Sequence, residues 1–189
     1  MKRSQINSAI RSAKACFERN GWVLPPNAKW DVTDFGLRDF DKSGLLLINL
    51  AEEPEYCEKL MYARKNQETP SHCHKKKKED IICRQGKLVI EFWNAPGDDT
   101  ATGDINVKVN GENKVIKSGD KVVLNSGERV TISPLVYHAF YPESEECIIG
   151  EVSTANDDLN DNFFINKDIG RYPEVEEDEP ALLKLLSDK

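Results

Sequence analysis

The sequence predicts an all-β domain, a closed barrel or jelly roll, with one helix before it and a short helix after it. Three observations carry this. Between Gly44 and Val152, nine short runs of β-branched or alternating residues are separated by turn residues. Helical spacing marks the start of the chain and suits its last few residues. A length of 189 residues with 39% hydrophobic side chains is enough to fill a single core.

Taken in order, Ile6, Ile10, Ala13 and Phe17 recur at helical spacing, Ser4 stands ready to cap the front, and Asn20-Gly21 is a stop signal. Leu24-Pro25-Pro26 then breaks regularity. Trp30, Phe35 and Phe40 follow among polar residues without a clear period, so residues 1–43 read as a helix and an ordered wrap. Residues 44–155 form the barrel, with strands at GLLLINL, EKLMYAR, EDIICRQ, KLVIEFW, INVKVNG, KVVL, RVTI, VYHAFY and ECIIGEV. Gly97, Asn110-Gly111, Gly119-Asp120 and Ser126-Gly127 punctuate them. Closure of so many short strands protects edges that an open sheet would leave unpaired. Residues 156–189 form an extension packed on the barrel: an acidic run, EVEEDEP, read as a solvated face, and ALLKLLSDK as the short helix.

Charge and composition narrow the function. The 26 basic and 33 acidic side chains give 26 − 33 = −7, and no basic stripe follows a phosphate backbone, so nucleic acid is not expected as a partner. No run is long and apolar enough for a signal peptide or a membrane span, so a cytoplasmic protein with no membrane partner is expected. Cys16, Cys57, Cys73, Cys83 and Cys147 are odd in number and form no CxxC pair, which suggests packed, reduced thiols.

Two of the three histidines, His72 and His74, lie one residue apart in an extended segment, so their imidazoles share a face while Cys73 points away. Glu79 opens the next strand and can return its carboxylate to the same depth. His138, in VYHAFY, is expected on a strand crossing the barrel opposite the first pair. Three imidazoles and a carboxylate would leave two positions open on a six-coordinate ion, a catalytic rather than a closed arrangement. Manganese, iron, cobalt, nickel and zinc all suit that set. The spacing of His72, His74, Glu79 and Gly86 resembles the first cupin motif, and LNSGERVTISPLVYHAFYPE resembles the second, which implies a cupin barrel. Asn66 stands where the first motif usually begins with glycine, the second is one residue short between proline and histidine, and Pro142 takes its terminal asparagine position.

Longer strings are more specific. MKRSQIN, LPP with Trp30 nearby, WDVTDFG, EKLM, NQETPSHCHKKKKEDII, GEVSTANDDLNDN and IGRYPEVEEDEP together resemble the D-lyxose isomerase family over most of the chain. The resemblance implies a metal-dependent aldose to ketose isomerase, usually favouring manganese, acting on D-lyxose and D-xylulose, often with D-mannose and D-fructose as slower partners. It assigns acid or base roles to Glu151 and the metal-bound Glu79, matches Lys59 to a lysine of the pocket, and matches Asp161 to an aspartate that binds substrate hydroxyls. Phe163 replaces an arginine common in the family, so the far end of the sugar site should differ.

The chemistry of the residues agrees with that implication. Moving a proton between carbons 1 and 2 creates an enediolate that needs electrophilic stabilisation and a carboxylate not wholly committed to a metal. Glu151 shares a strand face with Cys147 and Ile149, where burial is expected to raise its pKa. Lys59 is expected to face the pocket and bond sugar oxygens. The run from Lys75 to Lys78 is read as solvated. A non-catalytic sugar sensor and an iron-dependent dioxygenase are the rival functions that the ligand set allows, and a homodimer through the helix and wrap is the expected assembly.

Overall fold

The computed structural model describes residues 1–96, 102–170 and 174–188; Gly97, one of the expected turn residues, lies outside them. Helix α1 spans Arg3–Arg19, followed by β1 (Lys29–Thr33) and a single turn α2 (Phe40–Ser43). Strands β2 (Leu45–Glu52), β3 (Tyr56–Arg64), β4 (His72–Cys73), β5 (Glu79–Gln85) and β6 (Lys87–Trp93) come next. Then follow β7 (Asp104–Val109), β8 (Glu112–Lys117), β9 (Lys121–Asn125), β10 (Arg129–Ile132), β11 (Tyr137–Pro142), β12 (Glu146–Thr154) and β13 (Phe163–Phe164). They build two antiparallel sheets, ordered β1-β2-β3-β12-β5-β10-β7-β8 and β13-β4-β11-β6-β9. The sheets face each other across one core as a jelly-roll barrel of the cupin type.

Period-two alternation sets which residues enter that core. Met61, Ile81, Cys83 and Ile149 from the larger sheet meet Leu88, Ile90, Phe92, Leu124 and Phe140 from the smaller. Strand β2 is apolar on both faces for a reason: Leu45 and Leu47 point inward, whereas Leu46 and Ile48 meet α1 outside. Ile6, Ile10 and Phe17 of α1 are fully buried there, each contributing about 1.5–3 kcal/mol from the area removed from water.

The cupin motif's turn chemistry explains one departure from it. Asn66 adopts φ 62°, the left-handed conformation that asparagine tolerates better than most side chains, so it serves where glycine is usual. At Gly86 no such substitution works: φ is 98°, and a Cβ would lie 2.7 Å from the Glu146 carbonyl oxygen.

The ends of the chain differ from expectation in three ways. The expected irregular wrap contains β1, which pairs along β2 and extends the larger sheet. Helix α1 starts at Arg3, and Ser4 does not cap it from within; the Ser4 amide and hydroxyl both donate to Asp178. The acidic run is largely exposed, as expected, and also carries contacts to the helix: Glu177 and Asp178 accept from Arg3 and Ser4, and Glu179 accepts from Asn7. Carboxylates are favoured there by the unsatisfied amides and positive end of the helix dipole. Finally, 181–188 forms turns rather than a helix. Nine residues are too few to hold a helix alone. Instead Leu185 is buried under α1, and the Leu186 amide donates to the Trp30 carbonyl at the edge of β1. Strand β8 escaped prediction because all of it but Ile116 is exposed and it shows no hydrophobic alternation.

Candidate metal centre and active site

Strand β4 is only two residues long, yet it is pinned from both sides: His72 pairs with His138 of β11 and with Phe164 of β13. His138 is therefore the direct neighbour of His72 in one sheet, not a residue reaching from the opposite wall. Cys73 turns away from the pair toward Tyr137. The ligand-capable atoms of His72, His74 and His138 all lie within 4.8 Å of one another. Glu79, first residue of β5 on the facing sheet, brings Oε1 to 3.0 Å from His138 Nε2 and 3.4 Å from His74 Nε2.

Each imidazole is oriented through its other nitrogen. Nδ1 of His72, His74 and His138 lies 2.9, 2.7 and 3.1 Å from the carbonyl oxygens of Pro70, Asp161 and Val136. A carbonyl only accepts, so all three rings carry a proton on Nδ1, and the neutral ring then presents a lone pair on Nε2. His74 Nε2, His138 Nε2 and Glu79 Oε1 are buried, close together and without hydrogen-bond geometry among themselves. Lone pairs facing one another in the interior are unfavourable unless a cation sits between them, and carbonyl-anchored Nδ1 is the usual support of a metal-binding histidine. The residues fit a metal ion.

A charged cluster adjoins them. Glu151 on β12 sits between β3 and β5, opposite Lys59 on one side and Ile81 on the other, with Glu79 two residues along β5 on the same face. Lys59 Nζ lies 3.5 Å from Glu151 Oε1, 3.3 Å from Asp158 Oδ1, and donates to Asn156 Oδ1 at 3.0 Å. Lys77, from the run expected to be solvated, is 4% exposed, with Nζ 2.9 Å from both Glu79 Oε2 and Glu151 Oε1. The turn folds inward because the Asp161 carboxylate accepts the amides of Lys75, Lys76 and Lys77 at 2.9, 3.1 and 2.9 Å. Asp161 thus holds the turn with its side chain and His74 with its carbonyl, and its carboxylate is spent on backbone amides.

These contacts set the charge states. Burial alone would raise the Glu151 pKa, as expected from sequence, but the ammonium groups of Lys59 and Lys77 outweigh it and hold the carboxyl below its ordinary value. Burial likewise works against the charge on Glu79, yet the Lys77 ammonium outweighs it and keeps the carboxyl well below the usual range. Burial also opposes the Lys77 charge, and the two glutamates overcome it and push its pKa up. Asp161 is lowered too, its three amide donors outweighing burial. For His72, burial and its two histidine neighbours push the pKa well below 6.5.

That last shift gives a stability prediction. Below about pH 6.5 the unfolded chain takes up a proton that folded His72 refuses, so stability falls with falling pH, by up to about 1.4 kcal/mol per unit. Denaturant titration of chelator-treated protein between pH 7 and 5 measures this; an unchanged midpoint across that range contradicts it.

The pocket beside the cluster is lined by polar and apolar side chains together: Lys59, Lys77, Glu151, His72, His74 and Asp158 with Phe35, Leu45, Leu47, Met61, Phe140 and Phe164. Phe164 stacks obliquely 5.3 Å from the His72 ring. Phe163, which stands in place of the family's arginine, lies under the Lys75 ammonium at 3.9 Å. Sequence reading missed Lys77, Asp158 and this aromatic lining. For Lys77 a signal existed: it stands two residues before Glu79, on the same side of an extended chain.

Comparison with known proteins places this architecture. A family model described as D-lyxose isomerase matches residues 1–30 and 27–189. The D-lyxose/D-mannose isomerase of Escherichia coli O157:H7 is 35% identical, covering 100% of this chain and 98% of its own. That of Serratia proteamaculans is 34% identical over 95% and 94%. Among solved structures, L-ribose isomerase of Cellulomonas parahominis bound to L-ribose superposes with a TM-score of 0.71 at 16% identity, covering 93% of this chain and 98% of that one, a likeness of fold. With the sequence matched from end to end and the barrel shared, the chain belongs to the D-lyxose isomerase family.

Proposed function

We propose that the protein interconverts D-lyxose and D-xylulose, with D-mannose and D-fructose as further substrates, by proton transfer through an enediolate. The observation that carries the reading is a carboxylate, Glu151, held between two lysines beside a histidine and glutamate cluster in one pocket. Its relatives in E. coli and Serratia bear the name D-lyxose/D-mannose isomerase, which supports the substrate class.

His72, His74, Glu79 and His138 would hold a divalent ion, manganese in this reading. Such an ion supplies Lewis-acid polarisation of the sugar's carbonyl and neighbouring hydroxyl oxygens. The chain's own groups do the rest. Glu151 is ionised at neutral pH, so it can accept the proton from carbon 2 and return it to carbon 1, while the hydroxyl proton of carbon 2 passes to the oxygen of carbon 1. A carboxylate held below its ordinary pKa is a weak base, so the enediolate must be stabilised for the transfer to proceed. Lys59, 3.5 Å from Glu151, donates to the developing oxyanion. The apolar side chains of Phe35, Phe140 and Phe164 in the pocket lining keep bulk water from the reacting carbons. Asp161 enters as the residue that positions His74 and the lysine turn, rather than through direct bonds from its carboxylate to sugar hydroxyls.

The reading includes a cytoplasmic homodimer. Five buried, unpaired cysteines support a reducing compartment, and no helix of the described residues is long and apolar enough to cross a membrane. The activity itself is tested by incubating metal-stripped protein with D-lyxose, with and without manganese(II). D-Xylulose should form with the metal and cease on chelation; no ketose from any pentose or hexose with any of the five candidate metals overturns the assignment.

A further inference from the structure

The geometry points to Lys77 as a positioning residue, one that reserves a single oxygen of Glu79 for the ion and fixes Glu151 beside it. The inference rests on the isomerase reading for its kinetic consequence only.

Glu79 presents its two oxygens to different partners. Oε2 is capped by the Lys77 ammonium at 2.9 Å, and Oε1 is the atom that faces His138 and His74 at 3.0 and 3.4 Å. An oxygen whose charge is taken up by an ammonium is a poor metal ligand, so only Oε1 remains available to an ion among the imidazoles. Ligation through one oxygen leaves positions for the substrate. The same ammonium reaches Glu151 Oε1 at 2.9 Å. Glu79 and Glu151 are like charges in a buried pocket, and without a cation between them they would repel. Lys77 removes that conflict and ties the distance between the two carboxylates. Its own location is set from outside the site, by the Asp161 carboxylate that gathers the amides of Lys75, Lys76 and Lys77. Lys59 is not a substitute, since it approaches the same Glu151 oxygen only to 3.5 Å and is itself engaged by Asp158 and Asn156.

The role separates metal binding from turnover. Lys77→Met removes the competitor for Glu79 and should leave manganese(II) affinity, titrated calorimetrically, equal to or tighter than in the parent. Turnover should fall about 100-fold, the cost of a reacting group displaced by about 1 Å, with KM within roughly threefold. Lys77→Arg keeps the charge and should recover at least about tenfold of that loss. Manganese and turnover lost together, or turnover in Lys77→Met within threefold of the parent, overturns the proposal. A crystal structure of the manganese-loaded parent gives a reading that needs no folded variant: Lys77 Nζ should bond both Glu79 and Glu151, and a Lys77 turned to solvent refutes the clamp. If the parent isomerises no aldose, the functional reading fails, while the titration and the loaded structure still judge Lys77.

Discussion

Glu151→Gln should abolish most turnover while leaving the metal in place. The amide keeps the shape of the carboxylate and can still bond Lys77 and Lys59, but it cannot accept a proton at neutral pH. General base catalysis contributes about 100-fold to 10,000-fold, and the loss in kcat should fall in that range. Manganese content, measured by elemental analysis after dialysis, should match the parent because Glu151 is held by Lys77 and Lys59 and is not among the proposed ligands. A variant within threefold of the parent would reduce Glu151 to a structural counterion of the two lysines. Solvent deuterium gives a second reading: label entering the product through the enediolate should diminish with kcat.

His138→Ala should empty the site. The residue is 1% exposed, its Nε2 faces Glu79 Oε1, and no neighbouring histidine can replace it, since His72 and His74 are already anchored through their own Nδ1 atoms. Metal affinity should fall by more than the roughly 10- to 100-fold typical of losing a group that merely orients a ligand, and activity should fall with it. Stoichiometric manganese retained in His138→Ala, and likewise in His72→Ala and His74→Ala, would refute the site. Asp161→Ala offers the contrast within the same loop: it frees the lysine turn but leaves its carbonyl on His74, so metal should be kept better than in any histidine variant.

The strand pattern was legible because alternation is local. Runs such as KLVIEFW announce both strand and inward face, and the nine expected strands correspond to strands of the two sheets. β1 and β8 were not legible, the first lying among aromatic residues without period and the second solvated except at Ile116. The contacts of the acidic run were not legible and residues 181–188 do not form the expected helix, for a shared reason. Their structure is imposed by partners at the other end of the chain, Arg3, Ser4 and Asn7 for the carboxylates and Trp30 for the terminal turn.

Within the site the division is equally clear. The sequence alone determined a barrel, the candidate ligands His72, His74, Glu79 and His138, and the candidacy of Glu151 and Lys59, because residue type and parity along a strand are properties of neighbours in the chain. Only the tertiary structure decided how those groups are charged and which companions they have. Glu151 was expected to be raised by burial and is instead lowered, since the register of β3 and β12 sets Lys59 opposite it and the turn after His74 brings in Lys77. A lysine in a basic run and a lysine in a buried ion pair look the same in one dimension. What separates them is strand register and the placement of Asp161, and a one-residue slip in the former would turn each side chain to the opposite face.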